Sequence, residues 1–170
     1  MQFGRRSYGN SYALPKPLYK KEDLAPILQK LVEKTGFRLR RAGYKTSGVH
    51  VAILYRDGNF WHKGKKLKRI IFESRDIFKE AYRVLCSSPY DNPVANLAVS
   101  CFNLINCKTA QLELFEDVIK KENLAQAVDK INERWGNFVI TPARMLGTNT
   151  LVPDRIAFGG VKELEEFTLR

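Results

Sequence analysis

The sequence predicts an α+β fold: a two-layer β-α-β-β-α-β domain, with a four-stranded antiparallel sheet and two helices on one face, followed by a small helical C-terminal extension. Three observations carry this. Strand-like and helix-like patterns alternate in that order through residue 104, each helical stretch is apolar on one side only, and Asp57-Gly58 between two extended runs is a hairpin signal. Two one-sided helices bury their stripes most economically against one face of a sheet, leaving the other face to solvent.

Residues 5–14 form the expected first strand, ended by Pro15 and Pro17. Over 22–41, Leu24, Ile27, Leu28, Leu31, Val32 and Leu39 fall on one helical stripe. Glu22 and Asp23 suit the positive end of that helix, and Arg38, Arg40 and Arg41 its negative end. Gly43 follows as a left-handed cap. Residues 49–55 form a strand that returns over 59–68, and 74–86 form a second helix through Ile77, Phe78, Ala81, Tyr82 and Leu85. The fourth strand, 94–104, points Ala95, Leu97, Val99 and Cys101 inward and shows Asn96, Ala98 and Ser100 as a small, polar outer row. Asn123 is the expected cap of a tail helix running to Trp135, with Leu124, Ala127, Val128, Ile131 and Trp135 on its stripe. A short strand at 139–140 and a loop complete the tail.

Charge divides the chain. Residues 1–110 carry 21 Lys+Arg against 8 Asp+Glu, a net of +13, whereas residues 111–170 carry 8 against 10, a net of −2. A basic unit of this kind suits a polyanionic partner. No apolar run approaches the roughly 20 residues that span a bilayer, so no membrane partner is expected. Polar Ser7-Tyr8-Gly9-Asn10 close to the N-terminus argues against a signal peptide. Cys86, Cys101 and Cys107 lack metal-site spacing and have only His50 and His62 for company, so no metal is expected and the thiols read as buried ones in a reducing cytoplasm.

Several stretches resemble one family. Ser7-Tyr8-Gly9-Asn10-Ser11, the helix end Phe37-Arg38-Leu39-Arg40-Arg41-Ala42-Gly43, Lys63-Gly64-Lys65, and Pro93-Val94-Ala95-Asn96-Leu97-Ala98-Val99 are similar to the little-finger domain of Y-family translesion DNA polymerases. Gln111-Leu112-Glu113-Leu114-Phe115 resembles the sliding-clamp-binding motif that bacterial polymerase IV-like members carry just after that domain, and Asn132-Glu133-Arg134-Trp135-Gly136 resembles their C-terminal extension. The resemblance implies a little-finger-like unit at 1–108, a clamp-binding linker at 109–118 and an extension at 119–170. It implies phosphate contacts to duplex or primer-template DNA near Arg5, Arg6, Ser7, Tyr8, Gly9 and Asn10 on the first strand, and near Lys63, Gly64, Lys65 and Lys66 on the third. It also implies docking of Gln111, Leu112, Leu114 and Phe115 on a bacterial sliding clamp, by a monomer in the cytoplasm.

The family's catalytic carboxylates, which hold magnesium ions, have no counterpart here. The chain contains no Asp-Glu pair in that order, no Gly-rich phosphate loop and no nucleophile–base pairing. No catalytic residue and no cofactor are therefore assigned to it, and Mg2+ belongs to a separate catalytic part. The alternative is a stand-alone basic RNA-binding module of the same topology, with Tyr55, Phe60 and Trp61 stacking bases.

Overall fold

The computed structural model describes residues 7–107, 116–136, 138–148 and 151–152. Their elements run β1 (Ser7–Leu18), α1 (Lys21–Arg41), β2 (Tyr44–Tyr55), β3 (Phe60–Ile71), α2 (Ser74–Cys86), β4 (Val94–Asn106) and α3 (Glu116–Trp135), with a short 3-10 turn at Ala143–Met145. The four strands form one antiparallel sheet in the order β1-β4-β2-β3. This is the architecture that the sequence predicts. The middle of the sheet is β4 and β2, while β1 and β3 are its two edges.

The core lies between the sheet and the two helices. Leu28, Leu31, Val32 and Leu39 of α1 and Ile77, Ala81 and Leu85 of α2 are fully buried against Val49, Val51, Leu97 and Cys101. Burying each such side chain contributes about 1.5–3 kcal/mol. The two polar turns close as expected, with Gly43 at φ 73° after α1 and Gly58 at φ 85° in the hairpin. Asp57 builds that hairpin by accepting the Asn59 main-chain N–H at 3.0 Å.

Several expectations are corrected. β1 does not stop at Pro15 but continues through both prolines, because an edge strand can lack donors on its open side. The irregularity falls in the β1–β4 pairing between Ala13 and Leu18. At the start of β4 it is Val94, not Ala95, that is buried. Asn123 lies inside α3 rather than capping it, since that helix begins at Glu116. Residues 139–140 form no strand. Of the thiols only Cys101 is buried, and burial pushes it up to about 12, so it is inert packing.

The tail is fastened to the helix layer. Lys30 donates to the Thr148 carbonyl at 2.7 Å and Lys34 to that of Val152 at 2.7 Å, while Met145 and Val152 are buried. α3 is tied to the domain by Arg40 of α1 to Asp129 and by Lys45 of β2 to Glu122.

Candidate nucleic-acid interface

Strand register defines the face opposite the helices. Because Val49, Val51 and Ile53 point into the core, the residues alternating with them point out. Four cross-strand rows result: Ala13–Asn96–Leu54–Phe60, Ser11–Ala98–Ala52–His62, Gly9–Ser100–His50–Gly64, and Ser7–Phe102–Gly48–Lys66. Most of these side chains are small, so the main chain lies close to whatever covers the face. Gly9 makes this explicit, since a Cβ there would stand 2.8 Å from Ser100 Cβ and 2.9 Å from the Val99 carbonyl oxygen.

The register sorts the predicted contact residues by strand parity. Ser7 and Gly9 lie on the open face, whereas Tyr8 packs into the core and Asn10 faces the helix layer. On β3, Gly64 and Lys66 lie on the open face. Lys63 and Lys65 share the parity of Val51 and Val49 and turn toward α2. There Lys63 Nζ donates to Ser87 Oγ at 3.2 Å and Lys65 Nζ to Glu80 Oε2 at 2.7 Å. Burial alone would raise the Glu80 carboxyl, but Lys65, Arg83 and Arg69 together hold it below the usual carboxylate range. Arg5, Arg6, Gln111, Leu112, Leu114 and Phe115 lie outside the described residues.

Two histidines meet on this face, and nothing in their sequence spacing alone marks them as a pair. His50 Nε2 and His62 Nδ1 are 3.1 Å apart in the middle of the open face, with Phe60 beside His62 at 5.4 Å between ring centroids. Burial, and after it the neighbouring His62, pushes the His50 imidazole below the usual histidine range. The signal available in the sequence is the Asp57-Gly58 turn: folding the hairpin about it brings His50 and His62 onto the same face of paired strands.

The aromatic trio of the RNA-binding alternative does not assemble. Phe60 is on the open face and 61% exposed, but Tyr55 is buried with its hydroxyl 2.6 Å from Ser88 Oγ, and Trp61 shares the parity of Ile53 on the helix side. The residues present do not fit a magnesium site either. Asp57 holds a turn, Glu80 is shared by Lys65 and Arg83, and Asp129 is clamped by Arg40; among the described residues no three His, Cys, Asp or Glu gather to hold a metal. No helix of the described residues is long and apolar enough to cross a membrane.

This sheet and helix layer answers to a known family. The impB/mucB/samB family C-terminal domain matches residues 5–114. The chain belongs to this family. Relatives of this impB/mucB/samB C-terminal domain include a DNA polymerase IV of Bacillus anthracis, 32% identical over 136 aligned positions, an alignment that covers 77% of this chain and 33% of the relative. DNA polymerase IV 1 of Bacillus subtilis is 30% identical, over 79% of this chain and 34% of its own length. The chain thus spans about a third of the length of the curated relatives it matches.

Solved structures share the fold. A Y-family DNA polymerase chimera superposes with a TM-score of 0.52 at 21% identity, over 61% of this chain and 30% of that one. The little finger domain of PolIV, solved in complex with the beta-clamp processivity factor, superposes at 0.50 and 13% identity, over 64% of this chain and 97% of the little finger. The fold of the impB/mucB/samB C-terminal domain here is the little-finger fold.

Proposed function

We propose that this chain is the non-catalytic DNA-gripping and clamp-docking region of a translesion DNA polymerase, acting in the cytoplasm as a monomeric module. The observation that carries the reading is the open sheet face. It is lined by small side chains, and the two segments matched to family contacts, Ser7 to Asn10 and Lys63 to Lys66, lie on its opposite edge strands. Four strands about 4.8 Å apart set those edges about 14 Å from each other. That is close to the roughly 12 Å width of a B-DNA major groove. Edge strands leave main-chain N–H groups without a sheet partner, and N–H groups are donors to phosphate oxygens.

Such a surface grips duplex without reading sequence, because phosphate contacts position and base contacts specify. Residues 111–115 would dock on a bacterial sliding clamp and keep the module at the primer end. The magnesium-dependent chemistry belongs to the catalytic part of a longer protein. Titrating the chain onto primer-template duplex tests the grip. With about four phosphates neutralised, log K falls against log salt with a slope near −3.6, a loss of roughly a hundredfold from about 50 to 200 mM. An affinity that does not change with salt overturns the reading.

A further inference from the structure

The helix layer holds a second charged surface, on the side away from the open sheet face. A groove of about 630 Å³ lies between α2 and the turn at Ala143–Met145. Arg75, Lys79 and Arg83 line it from α2, and Arg144 closes it from the tail. The three α2 cations are four residues apart, so they climb the helix in steps of about 6 Å. Arg75 and Lys79 are exposed and have no carboxylate partner among the described residues, while Arg83 shares Glu80 with Lys65. Arg144 is held 4.6 Å over the ring of Phe78, which stacks on Tyr82 at 5.6 Å and 16°. Among the described residues Glu33 is the one carboxylate lining the groove, and burial disfavours its charge.

A solvated helix face ordinarily interleaves acids with its cations. This one sets a ladder of cations along a groove, the charge pattern of surfaces that track the backbone of a single strand of nucleic acid. The step between cations matches the separation of neighbouring phosphates along an extended strand. Its lining comes from α1, α2 and the tail, so among the described residues it offers no strand edge to which a peptide could add.

We propose that this groove binds single-stranded nucleic acid through its phosphates, at a site separate from the sheet face. The proposal stands whether or not the sheet face binds duplex.

The test pairs two charge reversals in the full chain, Arg75→Glu with Lys79→Glu on the groove and Lys66→Glu with Lys68→Glu on β3. Both pairs change net charge equally, and thermal melts check folding. Binding of an oligo(dT) strand and of duplex is measured at about 150 mM salt, where fields fade within about 8 Å. The groove pair is expected to weaken oligo(dT) by about tenfold and leave duplex within about twofold. The β3 pair spares oligo(dT). Unchanged oligo(dT) binding in the groove pair overturns the proposal, as does equal loss of oligo(dT) in both pairs. A polyglutamate peptide that binds the groove where oligo(dT) does not would reassign it to an acidic protein segment.

Discussion

Arg40 grips Asp129 with two prongs, Nε to Oδ2 at 2.6 Å and Nη2 to Oδ1 at 2.7 Å. The same guanidinium donates to the Phe72 carbonyl at 3.0 Å and to Ser74 Oγ at 3.2 Å. One side chain thus ties the end of α1 to the β3–α2 corner and to α3. Asp129→Ala removes only the α3 arm and leaves Arg40 two partners, so the expected global cost is about 1–2 kcal/mol. Hydrogen exchange locates the loss: amides of α3 lose protection while those of β2 and β4 keep theirs.

Phe102 lies on the open face against Gly48, where a Cβ would come within 2.5 Å of its ring. Gly48→Ala forces the ring aside, and overpacking of this kind costs about 1–3 kcal/mol. The variant should melt earlier. Gly64→Ala, whose Cβ would meet Phe102 at an ordinary 3.6 Å, should melt close to the parent.

His50 gives the open face a pH dependence. Its pKa is depressed by burial and then by His62, so the stability lent by its neutral ring is present above the ordinary histidine value and lost as pH falls. A phosphate on the face acts in the opposite direction and favours the protonated ring. Duplex affinity is therefore expected to rise between about pH 7.5 and about 5.5 at fixed salt. His50→Gln with His62→Gln should flatten that rise; an equal rise in the double variant would place the titrating group elsewhere.

Lys65 and Lys66 are neighbours in sequence that point to opposite faces of β3. Lys66→Ala should weaken duplex binding and reduce the salt slope by about one unit. Lys65→Ala leaves Glu80 with Arg83, so its effect should fall on the melting temperature instead. If Lys65→Ala produced the larger loss of duplex affinity, the assignment of the open face would be wrong.

These two lysines show where sequence is sufficient and where it is not. The order of six elements and the inward rows of α1, α2 and β2 follow from periodicity, because burial enforces it. Strand parity in β3 depends on pairing with β2, and a one-residue slip exchanges the faces. Lys63-Gly64-Lys65 therefore reads as one patch in sequence although its members divide between two faces. α3 misleads in another way. Leu124, Ile131 and Trp135 form an apolar stripe, yet they are 66%, 38% and 67% exposed, and the helix turns Glu122 and Asp129 toward the domain instead. The cause is the cationic end of α1 together with Lys45, which a helical pattern taken alone does not contain.

The clamp-docking assignment makes the sharpest forecast. β4 ends at Asn106, with the Cys107 main-chain N–H donating to the Gly43 carbonyl at 2.9 Å, and α3 begins at Glu116. Residues 111–115 thus join two anchored elements, and a connector can present Leu112, Leu114 and Phe115 to an apolar cleft while the Gln111 amide bonds at its rim. Each apolar side chain buried there is worth about 1.5–3 kcal/mol, enough for two anchors to give about micromolar binding after ordering costs. If Leu114 and Phe115 instead belonged to the domain's own core, Leu114→Ala with Phe115→Ala would lower stability by about 4 kcal/mol or more. The assignment expects the reverse: the double variant melts within a few degrees of the parent, binds duplex as before, and no longer retains a purified bacterial sliding clamp. Clamp retention by a folded double variant would sink the assignment.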